Sequence, residues 1–550
     1  MLVIHFLSLF LWHVAAKTSA PQVKLTTGTF RGLATNGTDR FLGIRYAQPP
    51  TGTLRFRPPV AITTALPGVQ DALTFGDACP QPAGGLGAPA GEDCLFLNVW
   101  RPQNTSAGAK LPVLVWIHVS SISESPQHLT WEQGRGIVTR SIANGKPIIL
   151  VTINYRLNTF GFLASSHVPI SSLNAGLQDQ RAAFTFVQEN IAQFGGDPAK
   201  VTIWGQSAGA GSVEAQILFP SPRPLFRAAI MDSMTGPFKN SPAPSTFDEP
   251  GKPFDLLIKA MDCAAGPTAF SCLQQVPFQA RRAHVSPRVR VVQWRFQTLA
   301  NFSNTMISGT LNHQFWEPTI APGSFSPVRA SKVVASGKFL HVPMIAGTNL
   351  NEGATFSSSL LDLNLSGTAQ DARFDQFVKD SVIDQTKITS DVLARIHTLY
   401  PANTESLPFS TGDSLFDRAS AWYGDNMFLA ARRRFVQKAA ASAPVFAYHF
   451  REFIPGNNAT FGVAHASELP LFFGPVPDPS DELDFANTYL DFYIGFIHDL
   501  NPGAAWPQFQ GATPLVLQLM RDNITAIVDD FRSDMTDFLN TPEVLNEWEK

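Results

Sequence analysis

The fold is decided by one stretch, Val201-Thr202-Ile203-Trp204-Gly205-Gln206-Ser207-Ala208-Gly209, in which an apolar run meets a glycine-flanked turn. The run at residues 201–204 is short and partly β-branched, which is typical of a buried strand. The small residues after the turn predict the start of a helix. The two glycines flank Ser207 at positions where side chains would collide in so tight a turn. We therefore expect Ser207 to stand clear of a sheet, with the N–H donors of a helix amino end behind it.

Further short apolar runs alternate with helical patterns along the chain. Strands are predicted at 111–118, 147–154, 228–231, 342–346 and 445–450, and a helix at 176–194. The segment between the first two of these strands, which contains Gly134 and Gly136, is interpreted as a polar loop. This alternation predicts an α/β protein with a large, mostly parallel central sheet, helices on both faces and long insertions. Functional groups are expected at the carboxyl ends of the strands.

The composition fits a large globular protein and gives no sign of nucleic acid binding. The chain has 550 residues, 44% hydrophobic and 15% charged, with a formal net charge of −3. This is ample for a buried core. No linker divides the chain, so we expect one domain over residues 17–550. The densest basic cluster, Arg432-Arg433-Arg434, is interpreted as a solvated helix face.

The first 16 residues predict export. Residues 1–12 are almost continuously apolar but short for a membrane span, and Val14-Ala15-Ala16 offers small residues for signal-peptidase cleavage. A retained signal anchor is the alternative interpretation. No later segment is apolar for long enough to cross a membrane. We therefore expect a signal peptide at residues 1–16 and a secreted protein, or one held in the lumen of the secretory pathway.

Cysteines and glycosylation sequons agree with export. The four cysteines fall into two close pairs, which suits disulfides in an oxidising compartment, although four cysteines allow three connectivities. They lack the Cys-x-x-Cys spacing and the nearby His that zinc favours, so no metal site is expected. The cysteines are Cys79, Cys94, Cys263 and Cys272. Predicted N-glycosylation sites are Asn36, Asn104, Asn301, Asn364, Asn458 and Asn523.

A serine nucleophile needs a base, and the base needs an orienting acid. Where a strand-turn-helix unit carries the serine, the acid and then the histidine follow it along the chain. Glu352 lies in the polar turn after the predicted strand 342–346, and His465 lies in the loop after the strand 445–450. The rival histidines are His449, inside a strand, and His498, inside a helical segment.

Longer motifs give the chain a family resemblance. The segment that begins Phe194-Gly195-Gly196-Asp197-Pro198 and ends at Gly209 resembles the nucleophile signature of the type-B carboxylesterases and lipases. That family also contains cholinesterases and fungal lipases. Glu92-Asp93-Cys94-Leu95-Phe96-Leu97-Asn98-Val99-Trp100 resembles its second signature. Further matching blocks are Phe41-Leu42-Gly43-Ile44-Arg45-Tyr46-Ala47-Gln48-Pro49-Pro50, Asn154-Tyr155-Arg156 and Gly176-Leu177-Gln178-Asp179-Gln180.

The resemblance implies an α/β-hydrolase fold and a carboxylic ester hydrolase that works through an acyl-enzyme intermediate. It implies a triad in which Ser207 is the nucleophile, His465 the base and Glu352 the orienting acid. Such chemistry needs no metal or organic cofactor. The expected substrate is a small ester with an apolar acyl or alcohol part, and the 43 phenylalanines supply side chains for an apolar pocket. The resemblance also implies disulfides Cys79–Cys94 and Cys263–Cys272, and structural ion pairs Arg55–Glu92 and Arg156–Asp179.

The chain departs from the family in the loop after His118. One donor to the developing oxyanion is expected to be the N–H of Ala208, and the resemblance places the others in a Gly-Gly-Gly run. Here that run reads Val119-Ser120-Ser121, and loss of one donor typically costs about 10²–10³ in rate. In one interpretation Ser120 and Ser121 still donate their N–H groups. In a second the loop is rebuilt and the enzyme is slow or narrow in substrate.

Two alternatives to hydrolysis stay open. The chain would be a binding module if catalysis were lost, although the intact Ser207, Glu352 and His465 argue against this. The acyl group would instead pass to an alcohol or amine, or close a lactone, if water were excluded from the site. The residues alone do not decide between acyl transfer and hydrolysis.

Overall fold

The structure, a computed structural model, describes residues 20–82, 87–118, 131–234, 240–278, 298–311, 315–403, 410–477 and 479–550. Its strands are β1 (Gln22–Leu25), β2 (Gly28–Arg31), β3 (Leu33–Thr35), β4 (Thr38–Arg45), β5 (Val69–Asp71), β6 (Phe96–Pro102), β7 (Leu111–Ile117), β8 (Ile149–Ile153), β9 (Gly196–Gln206), β10 (Ala228–Asp232), β11 (Met344–Asn349), β12 (Val445–Phe450), β13 (Leu515–Leu519) and β14 (Thr525–Val528). The predicted signal peptide at residues 1–16 lies outside the described residues.

The helices are α1 (Trp131–Ala143), α2 (Asn158–Phe162), α3 (Ala175–Asn190), α4 (Ala208–Leu218), α5 (Pro253–Ala260), α6 (Ala269–Gln275), α7 (Leu299–Ser308), α8 (Ala330–Ser336), α9 (Gly367–Asp380), α10 (Ser390–Leu399), α11 (Ser414–Gly424), α12 (Ala430–Ala439), α13 (Leu469–Phe473), α14 (Pro479–Asp499), α15 (Ser533–Leu539) and α16 (Pro542–Glu547). One π-helical turn, Asp425–Leu429, joins α11 to α12. None of the helices in the described ranges is both long enough and apolar enough to cross a bilayer.

One sheet of eleven strands organises the molecule, in the order β14-β13-β12-β11-β10-β9-β7-β8-β6-β4-β3. The strands from β13 to β8 in this order run parallel. Antiparallel pairs extend the sheet at both ends. A separate three-stranded sheet, β1-β2-β5, lies near the amino end of the described chain. The predicted large, mostly parallel central sheet is confirmed.

Both faces of the parallel strands are buried, which explains their nearly continuous apolar sequences. In β7, Val113 and Val115 belong to a core cluster shared with α3 and α4. Leu114 and Trp116 alternate with them and face the opposite cluster, shared with α1, α13 and α14. The sheet is therefore covered by helices on both sides, and the carboxyl ends of its strands form one edge where loops meet.

The long insertions form two helical layers outside this sandwich. Helices α2, α5, α6 and α7 enclose a third apolar cluster that includes Phe254, Leu257 and Phe302. Helices α9, α10, α11, α15 and α16 enclose a fourth that includes Phe374 and Trp422. Each insertion thus buries its own apolar face.

Two interpretations of the sequence are wrong. The segment around Gly134 and Gly136 is not a loop throughout, because both glycines lie within α1. A Cβ at Gly134 would lie 2.6 Å from the Trp100 ring, so glycine here lets the helix pack closely on β6. The basic cluster is not a solvated face either. Arg432 and Arg433 are buried at 1% and 3% exposure and pair with Asp529, the residue after β14, at 2.6 and 2.9 Å.

Candidate active site

Ser207 occupies the turn between β9 and α4. The strand ends at Gln206 and the helix begins at Ala208, so the serine carries the reversal, with φ 55° and ψ −121°. A positive φ of this kind costs a non-glycine residue on the order of 1–3 kcal/mol and persists only where the surroundings hold it. Here the Ser207 N–H donates to the Asp232 carbonyl oxygen at 2.9 Å, and the Ser207 carbonyl accepts from the Gly211 N–H at 2.9 Å. Backbone contacts therefore hold the turn from both sides.

Close backbone approaches explain the glycines around this turn. A Cβ at Gly205 would lie 2.4 Å from the carbonyl carbon of Gly209. A Cβ at Gly209 would lie 2.2 Å from the carbonyl oxygen of Ile117. Since Ile117 is the last residue of β7, the strand that leads into the expected oxyanion loop runs directly beside the nucleophile turn.

The structure brings the predicted base and acid together. His465 Nδ1 lies 2.5 Å from Glu352 Oε2. The other carboxylate oxygen, Oε1, accepts the backbone N–H of Asn349 at 2.7 Å. Both side chains are buried, with residue exposures of 2% for Glu352 and 6% for His465. Glu352 follows β11 and His465 follows β12, so both sit at the carboxyl edge of the sheet, where β9 also ends.

Gln206 links this pair to the nucleophile turn. Its Nε2 lies 3.3 Å from His465 Nε2. With the Nδ1 proton directed at Glu352, the Nε2 atom of His465 keeps its lone pair and accepts from the Gln206 amide. That lone pair is the one a general base uses. Here it contacts Gln206, and the hydrogen bonds of the described residues include none between the Ser207 hydroxyl and His465. The sequence did not identify Gln206 as a site residue, because its position next to Ser207 is the only signal that it carries there.

Aromatic rings cover the imidazole of His465. The ring of Phe428 lies 4.6 Å from it between centroids, and the ring of Phe356 lies 5.0 Å from it. Phe428 belongs to the π-helical turn between α11 and α12, and such turns are frequent at functional sites. The rings exclude water from the contact between His465 and Glu352, which strengthens the attraction between them.

A buried carboxyl that the sequence did not reveal lies behind the nucleophile turn. Asp232, the last residue of β10, accepts hydrogen bonds from Trp204 Nε1 at 2.6 Å, Tyr493 Oη at 2.5 Å and Tyr448 Oη at 3.0 Å. Burial raises the pKa of Asp232 to about 6, against the opposing effect of these donors. The donors come from β9, β12 and α14, which are far apart along the chain. No local sequence pattern could therefore predict them.

A second unpredicted carboxyl follows the histidine. Glu468 is fully buried and accepts from Asn349 Nδ2 at 2.6 Å. Burial, together with the neighbouring charges of Asp232 and Glu352, raises the pKa of Glu468 to about 8. Glu468 is therefore mostly protonated at neutral pH, which keeps additional negative charge away from the pair of Glu352 and His465.

Of the three expected oxyanion donors, the structure describes Ala208. Ala208 is the first residue of α4, where backbone N–H groups have no acceptor within the helix and remain open to a ligand. Ser120 and Ser121 lie outside the described residues, so their role stays a prediction. His118, at the end of the described chain before that loop, is buried, and its carbonyl oxygen accepts from Tyr155 Oη at 3.0 Å.

Neither rival histidine fits the role of base. His449 lies inside β12, where burial and the charges of Arg432 and Arg451 lower its pKa to about 3. His498 lies near the end of α14, and its Nδ1 pairs with the neighbouring Asp499 at 2.8 Å on the protein surface. Among the described residues, the imidazole in hydrogen-bond contact with Glu352 is that of His465.

Both cysteine pairs form disulfides within the scaffold. Cys79 and Cys94 are joined with their Cα atoms 4.9 Å apart, and Cys263 and Cys272 with their Cα atoms 5.9 Å apart. The asparagines of all six sequons are exposed. N-glycosylation stays a prediction for Asn36, Asn104, Asn301, Asn364, Asn458 and Asn523.

The two ion pairs implied by the resemblance tie loops to the scaffold. Arg55 contacts Glu92 through two hydrogen bonds of 2.5 and 2.8 Å. Arg156 contacts Asp179 in the same bidentate way, at 2.8 and 2.7 Å. Within the described residues, no group of three or more His, Cys, Asp or Glu side chains is arranged to hold a metal ion.

Comparison with known proteins assigns the family. A model described as the carboxylesterase family matches residues 19–539. The chain belongs to the carboxylesterase family, which confirms the resemblance seen in its motifs. The enzyme class expected from the sequence, a serine-dependent carboxylic ester hydrolase, is confirmed as well.

Individual relatives agree with this assignment. Lipase 4 of Diutina rugosa is 31% identical, with 97% of this chain and 98% of that protein covered. Secreted lipase 1 of Botryotinia fuckeliana (strain B05.10) is 32% identical, with coverages of 96% and 94%. The crystal structure of Aspergillus niger EstA superposes with a TM-score of 0.77 at 26% identity, covering 95% of this chain and 99% of that one. The α/β-hydrolase fold is thereby confirmed, and none of these relatives supports the acyl-transfer alternative.

Proposed function

We propose that Ser207, His465 and Glu352 form the catalytic triad of this hydrolase, and that esters are cleaved through an acyl-enzyme at Ser207. The observation that carries the proposal is the 2.5 Å contact between His465 Nδ1 and Glu352 Oε2 at the sheet edge where β9 delivers Ser207. The strained serine turn supports it, since strain of this kind persists where function requires it.

The reaction begins when Ser207 Oγ attacks the ester carbonyl carbon while His465 Nε2 takes the hydroxyl proton. Glu352 holds the imidazole in the required tautomer and stabilises its positive form. The tetrahedral intermediate then collapses, and the alcohol leaves with the proton from His465. A water molecule, activated by the same imidazole, attacks the acyl-enzyme and releases the acid. These steps use no metal or organic cofactor.

Backbone donors stabilise the negative charge that develops on the carbonyl oxygen. Ala208 is proposed to supply one of them, because its N–H lies at the amino end of α4 next to the nucleophile. Ser120 and Ser121 are proposed to supply the others through their backbone N–H groups. This arrangement would leave the geometry of an oxyanion hole intact despite the lost glycines.

The substrate is proposed to be a small ester with an apolar acyl or alcohol part. The phenyl rings around His465 supply an apolar wall near the reacting atoms. Relatives named as lipases and a relative from Bacillus subtilis (strain 168) named para-nitrobenzyl esterase, 28% identical with coverages of 92% and 96%, point to the same chemistry.

We further propose that the protein is secreted after removal of residues 1–16. Two disulfides and six exposed sequon asparagines suit an extracellular protein. Relatives named as secreted lipases support the same location. Protein recovered from the culture medium of a fungal host is expected to begin at Lys17 and to lose mass on enzymatic removal of N-glycans. Retention in the cell membrane with an intact amino terminus would contradict this.

The triad is tested with a fluorophosphonate probe and with p-nitrophenyl esters of short and long fatty acids. Wild-type protein is expected to take up one probe molecule and to hydrolyse at least one ester. Ser207→Ala should do neither while keeping its unfolding midpoint. The matched control is Ser390→Ala on the exposed start of α10, which should behave as wild type. Absence of labelling in the wild type, or equal labelling of Ser207→Ala, would overturn the proposal.

A further inference from the structure

The histidine loop, residues 463–469, carries His465. Among the described side chains, that of Asn349 hydrogen-bonds this loop on both sides of the histidine. Asn349 is the last residue of β11 and is 3% exposed. Its Nδ2 donates to the carbonyl oxygen of Ala464, directly before the histidine, at 2.8 Å. The same nitrogen donates to Glu468 Oε2, three residues after the histidine, at 2.6 Å.

The backbone of the same residue holds the acid. The Asn349 N–H donates to Glu352 Oε1 at 2.7 Å, and the other oxygen of Glu352 meets His465 Nδ1 at 2.5 Å. One residue thus anchors the acid through its main chain and the base through its side chain. Asn349 therefore contacts both the acid and the loop that carries the base.

The asparagine acts here as a double donor. Both hydrogens of its Nδ2 face acceptors, the Ala464 carbonyl and the Glu468 carboxyl, whereas its Oδ1 has no hydrogen-bond partner among the described residues. A flipped amide would place its oxygen against the Ala464 carbonyl, which can only accept, so this neighbour fixes the orientation. An aspartate would have the same shape but no hydrogen to donate.

The histidine loop needs such an anchor because its own backbone is strained. Ala466, directly after His465, has a φ of 65°, which is unfavourable for a residue with a Cβ. The turn is closed by two backbone bonds, Ser467 N–H to Ala464 O at 3.2 Å and Leu469 N–H to Ala466 O at 3.2 Å. External hydrogen bonds on both sides of His465 oppose relaxation of this turn.

We propose that Asn349 is a positioning residue that fixes His465 against Glu352 through the two hydrogen bonds of its side-chain amide. This inference rests on the proposed triad. It assigns to Asn349 no contact with substrate. Its contribution is to hold the imidazole in place, and a misplacement of about 1 Å in such a site can cost about 10²-fold in rate.

The chain offers a matched control two residues along the same turn. The Asn351 side chain hydrogen-bonds the same loop only at Val463, two residues before His465, where its Oδ1 accepts the backbone N–H at 2.9 Å. Asn351→Asp therefore keeps its side-chain hydrogen bond and adds a charge to the same turn. Asn349→Asp loses the hydrogen bond to the Ala464 carbonyl and adds a charge, and Asn349→Leu loses both side-chain hydrogen bonds without adding charge. Every variant keeps the backbone N–H that Glu352 accepts.

The experiment compares kcat and KM for a p-nitrophenyl ester, the rate constant of fluorophosphonate labelling and the unfolding midpoint of purified full-length protein. Asn349→Asp and Asn349→Leu are expected to lower kcat and the labelling rate constant about 10–100-fold, with KM within about twofold of wild type. Asn351→Asp should stay within about threefold of wild type in kcat. A merely structural role for Asn349 would lower the unfolding midpoint and leave kcat per labelled molecule unchanged.

Several outcomes would overturn the positioning role. Wild-type kcat in both Asn349 variants would do so, and so would an equal loss in Asn351→Asp. Failure of both Asn349 variants to fold while Asn351→Asp folds would assign Asn349 to stability instead. If wild-type protein takes up no probe, the proposed function itself fails before any of these variants is compared.

Discussion

Each oxygen of the Glu352 carboxylate accepts one hydrogen bond, from His465 on one side and from the Asn349 main chain on the other. A carboxylate suits this place because it is an acceptor at both oxygens. An amide has only one acceptor, and either orientation would turn its NH₂ group toward another donor. The requirement for an acid here is thus set by two fixed N–H groups.

Glu352→Gln is therefore expected to lower kcat by about 10³–10⁴-fold, because the amide cannot hold the imidazole in the required tautomer. Steady-state hydrolysis of a p-nitrophenyl ester measures this loss. Glu189→Gln, the same substitution at a surface-exposed side chain, is the control and should leave kcat unchanged. A loss of less than tenfold in Glu352→Gln would remove Glu352 from the triad.

The buried Glu468 makes stability depend on pH. Its pKa of about 8 in the folded protein lies above the ordinary value of 4.5, so the folded state holds this proton more tightly than the unfolded state. The stability that Glu468 contributes is full below about pH 4.5 and is lost as the pH rises through about 8. Glu468→Gln removes the titration while keeping an oxygen for Asn349. We expect this variant to gain stability relative to wild type as the pH rises from 5 to 9, measured by urea denaturation.

The sign of this pH dependence tests whether the pKa of Glu468 is raised in the folded protein. A difference in unfolding free energy between Glu468→Gln and wild type that stays constant from pH 5 to 9 would show that Glu468 titrates alike in the folded and unfolded chains. A difference that shrinks as the pH rises would show a lowered pKa in the folded protein, contrary to the burial of this side chain.

Residues that follow strands were the predictable part of the site. Glu352 and His465 could be chosen from the sequence because parallel strands deliver their carboxyl ends to one edge. Gln206, Asp232 and Asn349 could not, because their partners come from other elements of the fold. Hydrogen bonds of this kind depend on three-dimensional proximity and leave no periodic pattern in the chain.

At the level of elements, apolar runs predicted the central strands well. The strand predicted at 445–450 is β12, and the strand predicted at 111–118 is β7, which ends at Ile117. α1 was missed because glycines usually weaken helices, and the close packing of Gly134 on Trp100 that compensates is a tertiary contact. The arginines of α12 were misplaced for the same reason, since Asp529 lies far along the chain.

The nucleophile turn should not tolerate a methyl group. In Gly209→Ala the new Cβ would lie 2.2 Å from the Ile117 carbonyl oxygen, so the turn or β7 must shift. We expect a loss of about 1–3 kcal/mol or more in unfolding free energy and loss of fluorophosphonate labelling. Chemical denaturation and a labelling gel measure both effects.

The control for this substitution lies in α1. A Cβ at Gly136 would meet no atom within 4 Å, and alanine is favoured over glycine in a helix by about 1 kcal/mol. Gly136→Ala should therefore keep wild-type labelling with equal or higher stability. Full labelling of Gly209→Ala would show that the turn accommodates a Cβ at this position.

At the scale of the whole molecule, we propose that residues 17–550 form one domain. The described apolar clusters adjoin the same central sheet or its insertions, and tryptophans lie in three of them, among them Trp204, Trp316 and Trp422. Tryptophan fluorescence therefore reports on the sheet and on both insertions at once. Thermal unfolding is expected to show one fluorescence transition that coincides with the loss of esterase activity.

Separate transitions would contradict a single domain. If the insertion around Trp422 melts first, fluorescence should change in two steps. The double variant Trp422→Phe and Trp548→Phe identifies that step by removing it, because these two tryptophans lie in the fourth cluster. Activity lost before any fluorescence change would instead indicate local opening at the sheet edge.

The order in which the strands of the parallel sheet are synthesised also determines when the enzyme can become active. His465 pairs with a glutamate 113 residues earlier and with Gln206, 259 residues earlier. The nucleophile turn is therefore synthesised long before its partners. β9 pairs with β7 and β10, but the other edge of β10 stays unpaired until β11 has been synthesised. Such long-range pairing is slow and exposes the nascent chain to aggregation. Hydrolysis becomes possible only once β12 has docked, so activity is a late marker of folding.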